Sequence, residues 1–330
     1  MLRTADARRC TAVSASGFQS AFAAQPEVYI AFKASMGISG TSRIWYLKKF
    51  DAYCAEHGLE VFDRDTVEAW VTAQLSTSGQ YRSWMSYLRD FGRWLRTVGH
   101  SDAYVLSNQW RAQFVPAHPY LLTKREIDAF FIAAGHLDTS SPWRWQAIAF
   151  FMLMHSCGLR TGEVRGLGTG DVDLAGKRID VMASKGNRSR RLPISDDVAR
   201  ILAECDEIST ANFGRSRSAF FVSSKGTPVT PAAVGVIFNR IWDEAGLMRQ
   251  SVDKRPRPYD FRHHFAYANI ERWMDEGIDV TAMLPYLSTC MGHATVESTY
   301  YYIHTSPDFM NSYAHLMAQG SSPLPEVGFE

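Results

Sequence analysis

The sequence predicts a mainly α-helical protein of two domains, a helical bundle followed by a larger mixed α/β domain that carries a small β-hairpin or sheet. Three observations lead there. At 330 residues the chain exceeds one ordinary core and can bury two. Apolar residues recur at helical spacing through most of its length. Arg178 to Met182 and Arg191 to Ile194 read as two strands joined by the turn residues Lys185-Gly186-Asn187.

Residues 1–25, rich in Ala, Ser and Thr and without periodicity, are expected as a flexible arm. Residues 26–112 read as four helices. Val28, Ile30, Phe32 and Met36 lie in the first, and Gly40-Thr41-Ser42 starts the second, with Ile44, Trp45, Leu47, Phe50 and Tyr53. The third, capped by Asp65, carries Val67, Trp70, Val71 and Leu75. The fourth runs from Gln80 to about Val98 with Trp84, Leu88, Phe91, Trp94 and Leu95 at helical spacing. Lys48, Lys49, Arg82, Arg89, Arg93 and Arg96 fall on polar faces.

Fading periodicity and two prolines mark a linker at 113–120, followed by a second domain at 121–318 and a flexible tail at 319–330. Thr123 and Glu126 have capping-box spacing at the start of a helix over 124–135. Further helices are expected at 143–156, 161–168, 196–209, 231–246, 260–276, 280–292, 295–303 and 306–317, with a short strand and turn near 220–228.

Composition narrows the function classes. With 46% hydrophobic and 21% charged residues the chain is neither disordered nor collagen-like. The formal net charge of +1 argues weakly against nucleic-acid binding, but basic clusters matter more than the sum. Such clusters occur at Arg188, Arg190 and Arg191, at Arg215 and Arg217, and at Lys254, Arg255 and Arg257. The five cysteines (Cys10, Cys54, Cys157, Cys205, Cys290) form no C-x-x-C pair, so neither a zinc site nor a disulfide framework is expected. Reduced thiols, no secretory leader and no apolar run of membrane-spanning length point to a soluble, cytoplasmic protein.

Chemistry is suggested by five short motifs. Arg160 in SCGLRTGEVRGL sits at a loop-to-helix junction, with Glu163 three residues on and therefore on the same helix face. Lys185 in SKGNRSRRLPI is placed where the hairpin turns. In PYDFRHHFA, Arg262 lies beside His263 and His264 among Phe261, Phe265 and Ala266, where a guanidinium is costly unless it is paired or serves a ligand. His293 follows Gly292, and MGHATVESTYYYIH ends with Tyr300, Tyr301, Tyr302 and His304. Taken singly, each has a structural explanation: a surface ion pair, a solvated turn lysine, a packed imidazole.

In this order and spacing, residues from about 121 to 315 resemble the tyrosine recombinase (phage integrase) family, and the helical segment before them resembles that family's core-binding domain in layout. The resemblance implies a site-specific DNA recombinase or integrase that cuts and rejoins DNA through a covalent 3′-phosphotyrosine, without ATP, metal or other cofactor. By it, Arg160 and Arg262 grip the scissile phosphate, Lys185 is the hairpin lysine, His293 is a phosphate ligand, Glu163 supports the site and Tyr302 is the nucleophile. Tyr301 is the second choice, because successive helical residues point about 100° apart. Tyr259 stands where the family usually has histidine. A phenol with a reference pKa of about 10 can donate to a phosphate oxygen but is a poor base at neutral pH. Proton acceptance from Tyr302 then falls to a neighbour such as His263, or to water. Candidate DNA contacts are Lys48, Lys49, Arg89, Arg93, Arg188 and Arg190.

The residue types suit this chemistry. Guanidiniums bind non-bridging phosphate oxygens through paired hydrogen bonds and stabilise the charge that gathers there. A lysine can protonate the leaving 5′-oxygen, and the phosphotyrosine ester keeps the bond energy for resealing. The resemblance further implies two domains closing around double-stranded DNA, four protomers on two duplexes, and accessory recombination proteins as further partners. Pro307 to Met317, carrying Phe309, Met310, Tyr313 and Leu316, is expected as a helix that docks on a neighbouring protomer or packs as an ordinary core helix. Two alternatives remain: an accessory DNA-binding protein on the same fold with impaired catalysis, and a relaxase of the type IB topoisomerase kind.

Overall fold

The computed structural model describes residues 17–38, 40–78, 84–110, 119–184, 188–248 and 256–305. The chain divides into two compact units, Met1–Pro116 and Ala117–Glu330. No helix among the described residues is long and apolar enough to cross a membrane.

The first unit contains α1 (Ala24–Ser35), α2 (Thr41–His57), α3 (Arg64–Ser78) and α4 (Met85–Thr97), then a 3-10 turn at Asn108–Trp110. Its core is aromatic. Phe50 meets Trp70 edge-on at 5.4 Å, Trp70 meets Trp84 at 4.9 Å, and α4 contributes Leu88, Phe91, Trp94 and Leu95. Gly92 of α4 lets the backbone of Tyr104 come close, since a Cβ there would lie 2.3 Å from the Tyr104 carbonyl oxygen. The start of α3 differs from expectation. Asp63, not Asp65, is the cap, its Oδ1 accepting from the Thr66 amide at 2.9 Å.

The expected arm is ordered from at least Phe18. Phe22 is buried against Phe50, and the buried carboxylate of Asp51 accepts hydrogen bonds from the amides of Gln19 and Ser20 and from the Ser20 hydroxyl. A carboxylate in a core needs such donors, and this segment supplies them. Arg89 also departs from expectation: it is 6% exposed, and its guanidinium donates to the carbonyls of Leu106 (2.8 Å) and Ser107 (3.0 Å). It ties α4 to the segment after it and does not present its charge to a ligand.

The second unit opens with α5 (Lys124–Gly135), whose Thr123–Glu126 capping box forms as expected. Next come α6 (Trp143–Cys157), α7 (Thr161–Arg165) and a 3-10 turn at Thr169–Asp171. The strands β1 (Val172–Asp173), β2 (Arg178–Ser184) and β3 (Arg188–Pro193) form an antiparallel sheet in that order. Then follow α8 (Asp196–Phe213), α9 (Pro231–Glu244), α10 (Asp260–Asp275), α11 (Val280–Met291) and α12 (Glu297–Thr305). Helix α6 is apolar nearly all round, with Ala147, Phe150, Phe151, Leu153 and Met154 buried, so it forms the centre of the main core. A smaller cluster of Ala266, Tyr267, Ile270, Leu284, Leu287, Met291 and Tyr302 joins α10, α11 and α12.

Helix α7 stops at Arg165, short of the expected 168, and α8 runs past 209 to Phe213. Ser209 is buried within it, its hydroxyl accepting from Trp145 Nε1 at 2.9 Å. The segment near 220–228 forms a single bridge, Val222 to Pro228, and β1 is too short to leave a periodicity. Tyr120, placed in the linker by the sequence, packs edge-on to Trp242 at 5.9 Å. The turn Lys185-Gly186-Asn187, most of the linker, the helix over 306–317 and the tail lie outside the described residues.

Gly92→Ala should therefore lower stability by about 1–3 kcal/mol, the usual cost of overpacking. Urea denaturation followed by tryptophan fluorescence measures it, and an unchanged midpoint would contradict the close approach.

Candidate active site

Helix ends create this site. Helix α6 terminates at Gly158 (φ +61°) and α11 at Gly292 (φ +65°), both left-handed caps that glycine adopts without strain. The last carbonyls of a helix lack intrahelical donors and carry partial negative charge. At α11 they are taken up by three arginines from three other segments. Arg190 Nε donates to Cys290 O at 2.7 Å, Arg262 Nη2 to Met291 O at 2.7 Å, and Arg160 Nη2 to Gly292 O at 2.8 Å. Arg262 Nη1 donates to Gly158 O at the end of α6.

One carboxylate organises the group. Glu163, on the first turn of α7, accepts from the Arg160 amide at 2.8 Å and from Arg160 Nη1 at 2.7 Å. It also accepts a bidentate pair from Arg190, at 3.0 and 2.9 Å, and lies 4.0 Å from Arg262 Nη1. Three guanidiniums share a single buried acid, so the site keeps a positive excess. Arg262 is 0% exposed, and burial lowers its pKa from the ordinary value, opposed mainly by Tyr259. Its Nε is buried and has no hydrogen-bond partner among the described residues. A buried donor left without an acceptor can take one from a ligand, although Arg43 and Arg217 carry an Nε in the same condition.

Tyr302 is 3% exposed and projects from α12 into the same region. Its ring lies 5.5 Å from His263, 5.5 Å from Tyr267 and 6.1 Å from His293, the last nearly parallel at 9°. Burial raises the phenol pKa and the facing Arg262 guanidinium opposes the rise. His293 is held by its amide, which donates to Ser288 O at 2.9 Å, and by Nδ1, 2.7 Å from Thr299 Oγ1. Its pKa falls to about 4, chiefly through burial, then through Arg262, Arg160 and Arg190. His263 also falls to about 4, through burial and the charges of Arg257 and Arg262. Tyr259 sits just before α10, its ring 5.0 Å from His263 and edge-on to it.

The structure thus brings Arg160, Glu163, Tyr259, Arg262, His263, His293 and Tyr302 together. Lys185 lies outside the described residues, as do the side chains of Tyr301 and His304. Arg190, expected to contact DNA, belongs to this cluster: its side chain is 10% exposed and committed to Glu163 and Cys290. Alternation along β3 carries the signal, because Arg190 shares a face with buried Leu192 and pairs with buried Val181. Arg188 is exposed and donates to the carbonyls of His293 (3.2 Å) and Ala294 (3.0 Å). Lys49 lies 4.2 Å from the Trp45 ring and Lys48 5.8 Å from that of Phe18, while Arg93 is exposed on α4. Thr299, Tyr267 and the Gly158 and Met291 carbonyls were not singled out by the sequence. No group of three or more His, Cys, Asp or Glu among the described residues is arranged to hold a metal.

The sequence profile described as Phage integrase family matches residues 121–308. The chain belongs to the phage integrase family. Among its relatives, "Putative integrase/recombinase y4rE" of Sinorhizobium fredii is 31% identical over 202 residues, 61% of this chain and 64% of that protein. "Putative integrase/recombinase y4rB" of the same organism is 25% identical over 302 residues, 88% of this chain and 95% of that protein. The solved structure of XerH site-specific recombinase, in a post-cleavage complex with palindromic difH substrate, superposes with a TM-score of 0.59 at 17% identity. It covers 86% of this chain and 80% of that one, a likeness of fold.

In this integrase-family chain His155, like His263 and His293, is held at about 4, against an ordinary value of 6.5. Unfolded, these imidazoles take up protons near pH 6.5; folded, only near pH 4. The unfolded state binds more protons in between, so stability present above about pH 6.5 should be lost as pH falls toward 4. Urea midpoints across that window test this, and His155→Gln should reduce the loss.

Gly292→Ala should destabilise the protein by about 1 kcal/mol or more, since alanine there is strained. Its Cβ would also lie 2.6 Å from Arg190 Nη1. Thermal denaturation reads the shift.

Proposed function

We propose that this integrase-family chain is a site-specific DNA recombinase that breaks and rejoins double-stranded DNA through a phosphotyrosine at Tyr302. The observation that carries the reading is the buried, unpartnered Nε of Arg262 beside the Tyr302 phenol. A phosphate oxygen is a natural acceptor for that N–H, and Arg160 brings a second guanidinium to the same cluster. XerH, which shares the fold, is seen bound to its difH DNA substrate.

In the proposed reaction Tyr302 Oη attacks the scissile phosphorus and the bond from phosphorus to O5′ breaks. Lys185 delivers a proton to the departing O5′. The phenolic proton passes to water or to His263, whose ring centroid lies 5.5 Å from that of Tyr302 but whose imidazole, held at about 4 by burial and by Arg257 and Arg262, is a weak base. Tyr259 donates to a non-bridging oxygen and leaves proton acceptance to one of these. Attack by a 5′-hydroxyl of a second strand reverses these steps and joins new partners. Arg160 and Arg262 stabilise the charge of the transition state from a region where water is largely excluded. Lys49 and Arg93 are proposed as phosphate contacts of the first unit. Four protomers on two duplexes would let strands exchange in pairs.

The test is covalent capture. Mixed with duplex fragments of its organism's genome and separated in detergent, the protein should retain DNA that protease releases. No adduct from the wild-type chain would refute the proposal. Tyr302→Phe should abolish the adduct while DNA binding persists, and Arg262→Ala should slow its formation by about 100-fold or more, the usual effect of losing one preorganised donor.

A further inference from the structure

His293 is held from two sides, and both of those contacts lie on the helix that carries Tyr302. Thr299 and Tyr302 are three residues apart on α12 and so share a face. Thr299 is fully buried, with Oγ1 2.7 Å from His293 Nδ1, while the Tyr302 ring lies parallel to the imidazole. The backbone of His293 belongs elsewhere, to the end of α11, where its amide donates to Ser288 O. The imidazole therefore bridges two helices, with its main chain fixed by one and its ring by the other.

A neutral imidazole has one N–H and one acceptor nitrogen, and the partner of one nitrogen decides which role the other plays. A threonine hydroxyl can fill either role. If it donates to Nδ1, the proton of the ring is at Nε2, and Nε2 can then donate to a phosphate oxygen.

We infer that Thr299 is a positioning residue that donates its hydroxyl proton to His293 Nδ1, fixing the ring as the Nε2–H tautomer and only while α12 is docked. The consequence is a coupling within one protomer. The histidine is prepared for the phosphate by the arrival of the helix that brings the nucleophile, so α12 displaced from the site removes Tyr302 and disorients His293 together.

This inference rests on the proposed recombinase reading, and two measurements keep their failures apart. The first needs no DNA. Side-chain 15N spectra of the full chain at pH 7 should show His293 with Nδ1 unprotonated and Nε2 protonated, and Thr299→Val should abolish that preference. A protonated Nδ1 in the wild-type chain, or identical His293 shifts in Thr299→Val, overturns the inference whether or not the protein cuts DNA.

The second reads adduct formation. Thr299→Val should slow it about tenfold, a loss typical of an orienting hydrogen bond near a reacting group, with DNA affinity within about twofold of wild type. Thr299→Ser, which keeps the hydroxyl, should recover most of the rate. In a His293→Gln background Thr299→Val should add no further loss, because it acts through that ring. Wild-type rates in Thr299→Val, no recovery by serine, or losses that multiply in the double variant would refute the positioning role. An absence of adduct in every protein, wild type included, would refute the recombinase reading and leave the spectra to decide the role of Thr299.

Discussion

Arg262 is a guanidinium with no exposed surface, and much of the second unit is arranged around keeping it there. Burying an unpaired charge costs several kcal/mol, so it survives only with close acceptors. Gly158 O and Met291 O provide them from the ends of α6 and α11, whose final carbonyls would otherwise lack donors. Glu163 adds a carboxylate at 4.0 Å. Both helices end in left-handed glycines, and a side chain at either would strike a neighbour: Phe265 at Gly158 and Arg190 at Gly292. What remains is one donor, Nε, with nothing in the described protein to receive it.

The same logic extends outward. Arg160 and Arg190 use adjacent carbonyls of the α11 terminus and share Glu163, so a loop, a strand and a helix end are fastened at one point. Burial keeps His263 and His293 neutral, and positive charge packed this closely reinforces it. A neutral imidazole costs little to bury and can still exchange a hydrogen bond. Tyr302 enters this region on α12 through a separate small apolar cluster with α10 and α11. None of the described side chains of α12 joins the main core.

Misjudged residues divide by physical cause. Asp63 and Asp65 are equally good caps in sequence, and only the backbone path decides which carboxylate meets the Thr66 amide. Arg89 occupies a helix position read as polar, yet the segment after α4 folds back and offers two carbonyls to it. The order of residues 18–25 depends on Asp51, some thirty residues away, which no local pattern reveals. Arg190 was legible from strand alternation, but its basic neighbours masked it: Arg188 shares its face and reaches the carbonyls of His293 and Ala294, while Arg191 faces the other way. Arg191 pairs with Asp180 at the surface.

The sequence by itself determined the helical architecture, the hairpin, the capping box at Thr123 and the family, because these depend on short-range periodicity and on motifs in a set order. It also singled out Arg160, Glu163, Arg262, His293 and Tyr302 as one constellation. Only the tertiary structure decided how that constellation is held: which carbonyls receive each guanidinium, that Arg190 serves Glu163, and that Thr299 reaches His293. Those are contacts between helix ends and segments far apart in the chain. A backbone carbonyl carries no residue identity, so its role as an acceptor becomes visible only once the fold has placed a donor against it.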